Sequence, residues 1–371
     1  MIFTTNTKPL ADSLSLGVVD ANVSKFYSKS CMAQVTAKDH DLIINLEANS
    51  IKSEIRLKGS SDVEGEAHRA LIDSKLFKQL VGTFDTSAVK LEFTDGGIIL
   101  HSGSSKFTLP NMIDVDDLSL DAPQMPENAG TAIDIDKSDW RFIKDNQMYA
   151  IAMSFIHPVY TMAWIGESGD VIVGDMDNGI FTNSKKGQLG TTCLLSDTII
   201  NLFNALPEGA KLFRGDDRSY IVSISTDAYQ MMSQFTPKYE DDAEVGSYSA
   251  EIVLGLMQKP DSTVKVSTSA ITRLLSQAAL LSTSSDDKVM FTYEPLTGAI
   301  TLSDSKTTGD IKCTGEMTKM SIPFKTSTLK QVIGNYSDET IEIGPTYNGD
   351  DIVGIVVWTP ELTTVLAGVD E

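Results

Sequence analysis

Cysteine, histidine and basic side chains are scarce in this chain of 371 residues. The three cysteines, Cys31, Cys193 and Cys313, are far apart and form no CxxC pair. That excludes a disulfide framework and points to a reduced, cytoplasmic compartment. The four histidines, His40, His68, His101 and His157, form no HxH or HExxH pair, so a zinc hydrolase would lack its ligands. Without a Gly-Lys dipeptide there is no phosphate-binding P-loop. No apolar run reaches the length of a membrane span, and the stretch after Lys8 is broken by Asp12 and serines, unlike a signal peptide. No membrane partner is expected.

Lys and Arg total 30 against 51 Asp and Glu, for a net charge of −21. A surface this acidic repels phosphate. Contact with nucleic acid would therefore need a local basic face. At 41% hydrophobic residues the chain has ample material for packed cores.

What is present is a repeat. A short amphipathic helix, a turn and a strand hairpin recur from Asp73 to Phe93, from Leu195 to Phe213 and from Lys325 to Ile343. Each copy opens near Ser74, Ser196 or Thr326, residue types that cap helix N-termini. Each then sets apolar residues at helical spacing: Phe77, Leu80 and Val81; Ile199, Leu202 and Phe203; Leu329, Val332 and Ile333. An earlier helix is expected in each third, with stripes Leu10, Leu14, Val18 and Ala21, then Trp140, Ile143 and Ile151, then Ile271, Leu274, Leu275 and Ala278. Strands are expected at Leu42–Leu46, Asp170–Val173 and Val289–Tyr293, with a hairpin turn at Asp95-Gly96-Gly97. Acidic, proline-bearing linkers over 114–130 and 237–246 divide the chain into units 1–125, 126–244 and 245–371. The fold class is α+β, with two helices on antiparallel sheets in each unit.

Several smaller patterns carry no chemistry. Asp175, Asp177 and Gly179 suggest a calcium loop, but the glycine is one place early and Lys186 stands where a bidentate Glu is needed. Gly166-Glu167-Ser168-Gly169 is one residue short of a nucleophile elbow. Lys185 to Thr192 reads as a basic turn, and Asp114, Asp116 and Asp117 as a solvated linker. No catalytic residue and no cofactor is expected. Lys137, Arg141 and Lys144 share one helix face, away from Trp140 and Ile143. Lys75 and Lys78 form an i, i+3 pair, and Arg273 and Lys330 are cations on later helices.

Four stretches, in order along the chain, resemble bacterial beta sliding clamps. Ser102–Leu109 is similar to the edge strand of their first domain, and His157–Trp164 to a strand of the second. Leu274–Ser282 is similar to the first helix of the third domain, and Ile355–Pro360 to the last strand. The chain continues beyond Pro360, where the usual clamp stops soon after. The resemblance implies a head-to-tail homodimer closing a ring around duplex DNA, tethering a DNA polymerase and needing a clamp loader. It implies that Lys75, Lys78, Lys137, Arg141, Lys144, Arg273 and Lys330 face a pore. A partner-peptide pocket would be lined by Met162, Ile180, Pro237, Val356 and Trp358. Phe107 would pack near Leu280 and Leu281 across the seam between copies. The alternative is a clamp-like scaffold that binds replication proteins through the pocket without encircling DNA.

Overall fold

The computed structural model describes the chain except residues 18–31, 49–50, 115–117, 127–129, 152–157, 216, 240, 243–249, 282–286 and 370–371. The first run of elements is β1 (Ile2–Asn6), α1 (Thr7–Gly17), β2 (Met32–Lys38), β3 (Asp41–Ala48), β4 (Ile51–Ser61), β5 (Ala67–Asp73), α2 (Ser74–Gly82), β6 (Ala88–Thr94), β7 (Gly97–Ser102) and β8 (Ser105–Pro110). The second is β9 (Ile133–Asp134), α3 (Lys137–Asn146), β10 (Met162–Ile165), β11 (Val171–Asp175), β12 (Ile180–Ser184), β13 (Cys193–Ser196), α4 (Asp197–Ala205), β14 (Lys211–Arg214), β15 (Tyr220–Ser225) and β16 (Tyr229–Phe235). A helix without counterpart, α5 (Ala250–Leu256), precedes the third run. That run comprises β17 (Val264–Ser267), α6 (Thr268–Leu281), β18 (Lys288–Glu294), β19 (Ala299–Ser303), β20 (Thr308–Lys312), β21 (Thr314–Gly315), β22 (Met320–Lys325), α7 (Thr326–Gly334), β23 (Thr340–Asn348), β24 (Asp351–Trp358) and β25 (Thr363–Ala367). Among the described residues, and apart from the two-residue β21 and the short 3-10 turns at Met148–Ala150 and Pro158–Thr161, each run reads strand, helix, four strands, helix, three strands.

Five of the described helices, α1, α2, α4, α6 and α7, share one construction. A strand passes directly into a helix whose first residue is Thr7, Ser74, Asp197, Thr268 or Thr326. These side chains compete with the backbone for hydrogen bonds and so favour helix starts over helix interiors. Ser74 and Thr326 are first helical residues; the caps proper are Asp73, whose carboxylate accepts from Leu76 N, and Lys325. Each helix then buries one face: Leu10 and Leu14 in α1, Phe77 and Val81 in α2, Leu329, Val332 and Ile333 in α7. Burying each such side chain contributes about 2 kcal/mol.

Two expected stripes end differently. α3 stops at Asn146 because the Gln147 amide turns inward, donating to Val171 O and Thr182 Oγ1 and accepting from Ser184 Oγ. Ile151 therefore lies beyond that helix. Val18 and Ala21 fall outside the described residues. The hairpin at Asp95-Gly96 forms as expected, with Thr94 opposite Gly97 at φ 136°. The Asp175 carboxylate accepts from Asp177 N and Asn178 N, closing the β11–β12 turn.

The chain divides into two compact units. One comprises residues 1–137 and 197–237 and holds a 12-stranded sheet in which β8-β7-β6-β1-β4-β16-β15-β14-β9 run in sequence. Its core includes Phe235 between Phe203 and Tyr220, with centroids 5.6 and 5.7 Å away. The other unit comprises 138–196 and 238–371. It holds a nine-stranded sheet, β13-β10-β11-β12-β25-β24-β23-β17-β21, and a four-stranded one, β20-β19-β18-β22.

The last strand is not Ile355–Pro360. That stretch ends β24, and the chain turns at Thr359–Leu362 into β25, which pairs with β24 and β12. The residues after Pro360 thus supply the eighth strand of the third run.

Candidate functional site

Cations concentrate on the helices. Among the described residues, the helices carry Lys8, Lys75, Lys78, Lys137, Arg141, Lys144, Arg273 and Lys330 against Asp12, Asp139, Asp145, Asp197 and Glu251. That reverses the balance of the whole chain. α1 packs on α2, and α6 on α7. The exposed positions of α6 and α7 include Arg273, Gln277, Lys330 and Gln331, and neither helix contains an acid. Lys75, Lys137, Arg141, Arg273 and Lys330 are exposed, while Lys78 and Lys144 are half-buried. Arg141 pairs loosely with Asp145 at 3.5 Å. Lys8, exposed on α1, joins this set; its place near the chain start hid it among the ordinary polar residues of the sequence.

The residues expected to line a peptide pocket fall as follows. Pro237 is buried at the end of the first unit. The other four lie in the second unit. Met162 packs against a cluster built from Trp164, Ile172, Leu194, Val356 and Val365. α5 covers this cluster with Ala250 and Val253, and Met257 adds to it just past the helix end. Val356 is 1% exposed and stands opposite Val365 of β25. Ile180 is buried opposite Leu366. Trp358 is half-buried with Lys259 Nζ 4.1 Å from its ring centroid, a cation–π contact. Lys259 in turn pairs with Glu342 at 2.6 Å.

Two shallow clefts flank this region. One, of about 450 Å³, is bounded by Leu256, Pro260, Pro345, Tyr347 and Val356. The other, of about 370 Å³, runs between Met176–Gly179 and Leu366–Val369. Exposed Leu256, Tyr347 and Met176 give both an apolar rim.

Lys186, expected in a basic turn, is instead an anchor. It pairs with Asp139 at 3.3 Å and Glu361 at 3.5 Å and lies over the Phe142 ring. Burial works to lower its pKa, but the hydrogen bonds and charges of Asp139 and Glu361 outweigh it and the net shift is upward.

The expected seam residues are at sheet and helix ends. Phe107 lies on β8 and stacks on Phe84, centroids 5.6 Å apart. Leu280 is 83% exposed at the end of α6; the Leu281 side chain lies outside the described residues. β8 ends its sheet path and β20 ends another. Two joints bind strands of successive runs. In the first unit β4, the fourth strand of run one, pairs with β16, the eighth of run two. In the second unit β12, the fourth strand of run two, pairs with β25, the eighth of run three. Each joint buries a polar pair at matched register, Ser53 with Ser233 and Thr182 with Thr364. The Ser53 and Ser233 hydroxyls are 2.8 Å apart.

No family model and no curated protein sequence matches the chain. Solved structures do. A putative DNA polymerase III beta subunit from Eubacterium rectale aligns at TM-score 0.78 and 11% identity, covering 100% of both chains. The beta subunit from Thermotoga maritima aligns at 0.77 and 14%, and the DNA polymerase sliding clamp from Bacillus subtilis at 0.75 and 16%, each over 100% of this chain and 99% of the other. Over its whole length, the chain has the fold of the DNA polymerase III beta sliding clamps.

Proposed function

We propose that this chain is a sliding clamp: a non-enzymatic ring, closed by two copies head to tail, that encircles duplex DNA and holds a polymerase on it. The observation that carries the reading is the pair of joints. Each links a fourth strand to the eighth strand of the next run, and one fourth strand, β20, and one eighth strand, β8, are left over at sheet ends. A second copy supplies the missing partner for each. Two copies then close six units, with boundaries at 1–125, 126–244 and 245–371, and leave no sheet edge at the seams.

The helix cations support the DNA role. A ring that slides needs phosphate contacts that are weak singly and blind to sequence. Lys75, Lys78, Lys137, Arg141, Lys144, Arg273 and Lys330 fit that need, while the acidic remainder of the chain keeps DNA off other surfaces. Loading a closed ring requires a clamp loader, and the cytoplasm is where replication would use it. Partner peptides from polymerase and loader would dock on the second unit beside α5, about Met162, Ile180, Val356 and Trp358. The clefts rimmed by Leu256 and Tyr347 and by Met176 offer pockets for large apolar side chains there.

Replacing Lys137, Arg141 and Lys144 with Glu tests the DNA assignment. The variant should remain folded by circular dichroism and lose clamp-dependent processivity in primer extension by at least tenfold, as the loss of about three phosphate contacts predicts. Unchanged processivity would remove these residues from the pore and favour a scaffold that never encircles DNA.

A further inference from the structure

The two internal joints also specify how the seam between copies is registered, an inference that rests on the ring reading above. In the first joint Ile51, which opens β4, faces Phe235, five residues beyond Gln230, where β16 leaves its hairpin. In the second, Ile180 opens β12 and faces Leu366, three residues beyond Thr363, where β25 leaves its hairpin. β20 opens at Thr308 and β8 leaves its hairpin at Ser105. Carried over to the seam, the offset of three sets Thr308 against Thr108, and the offset of five sets it against Pro110.

Backbone direction agrees with both. Asp304 N donates to Thr307 O and Cys313 N to Gly298 O, so the odd positions of β20 bond β19. Thr308, Asp310 and Lys312 then turn their N–H and C=O groups to the outer side. On β8, Asn111 N donates to Gly96 O, and the same alternation turns Lys106, Thr108 and Pro110 outward. Burial alternates in phase too, with Phe107 and Leu109 on the inner face of β8 and Gly309 and Ile311 on that of β20.

Chemistry separates the two offsets. An offset of five places Pro110, which has no N–H, against Thr308, and Lys106 against Lys312, a like-charge pair across the ladder. An offset of three keeps the bonds, places exposed Lys106 against exposed Asp310, and faces Phe107 with Gly309. A Cβ at Gly309 would come within 2.6 Å of Leu274 Cδ2, so the half-buried Leu274 side chain already covers Gly309 and gives a ring from across the seam an apolar surface to pack against. We infer that the seam is an antiparallel β8–β20 pairing between copies, in which Lys106 faces Asp310, Phe107 faces Gly309 and Thr108 faces Thr308.

The test uses the full chain with Lys106→Asp, Asp310→Lys or both, followed by sedimentation across a dilution series. Each single reversal puts like charges opposite at both seams and should weaken the dimer by about tenfold; the double reversal should restore it to within about threefold. In a Cys313→Ser background, Thr108→Cys with Thr308→Cys should give a covalent dimer under mild oxidation, and Pro110→Cys with Thr308→Cys should not. A dimeric parent indifferent to the reversals, or crosslinked only through position 110, overturns this register and leaves the ring standing. A parent that is monomeric at every concentration overturns both.

Discussion

Glu342 is 15% exposed and receives Lys259 at 2.6 Å, Lys265 at 3.6 Å and a hydrogen bond from Thr263 Oγ1 at 2.9 Å. Burial alone would raise its pKa, but the Lys259 and Thr263 hydrogen bonds and the charges of both lysines outweigh it, and the carboxyl sits below its ordinary range. Because the folded pKa is the lower one, the ionised group stabilises the fold above its unfolded pKa. That stabilisation is lost as pH falls through the folded value. Glu342→Gln should therefore cost about 1 kcal/mol at neutral pH, read as a lower denaturation midpoint, and the deficit should shrink as pH falls below the ordinary glutamate range. A deficit that grows in acid would contradict the assignment. The same cluster explains what the sequence concealed about Trp358. A Trp beside Thr359-Pro360 signals a strand end, and β24 does end there. Its partner Lys259 is 99 residues away in sequence, and no local pattern announces a cation placed on its ring.

At the scale of elements, buried hydroxyls hold the joints. The Tyr336 hydroxyl, just past α7, donates to Val357 O at 2.9 Å and shares a second hydrogen bond with the Thr364 hydroxyl, also at 2.9 Å, tying the helix to β24 and β25. Burial drives its pKa well above the ordinary tyrosine value despite the hydrogen bond to Thr364. Tyr336→Phe removes the partner of both Val357 O and the Thr364 hydroxyl and should lower unfolding free energy by about 1–3 kcal/mol in urea titration. Ser53→Ala should cost a similar amount, because Ser233 is fully buried opposite it; no loss would mean that this pair does not help hold β4 to β16. Helices were legible wherever apolar spacing and a Ser, Thr or Asp start coincided, as in α2, α4, α6 and α7. The final strand was less so. Ile355, Val356 and Val357 form a continuous apolar run that reads as a terminus, whereas β25 opens with two threonines whose burial depends on Tyr336 and β12. The end of α3 was hidden for the same reason: Gln147 looks like a surface residue and bonds instead to β11 and β12.

At the scale of the whole molecule, the threefold recurrence is written in local patterns, but the joints are not. β4 with β16 and β12 with β25 are pairings over more than 170 residues, set by register that a single sequence does not display. The charge partition was half legible: the Lys137, Arg141 and Lys144 face follows from spacing, while the lack of acids on α6 and α7 matters only once those helices are seen to pack together. A basic helix surface within an acidic molecule, two joints of one kind and two strands left at sheet ends are the observations on which the proposed ring rests, a ring that would hold DNA by enclosure more than by grip. Enclosure has a direct signature. The chain is loaded onto nicked circular plasmid with a bacterial clamp loader and ATP, isolated by gel filtration in high salt, and half the sample is cut once with a restriction enzyme. The ring predicts retention on the circle and release from the linear product. Equal retention on both forms, or loss from the circle in high salt, would mean ordinary surface binding and contradict the account.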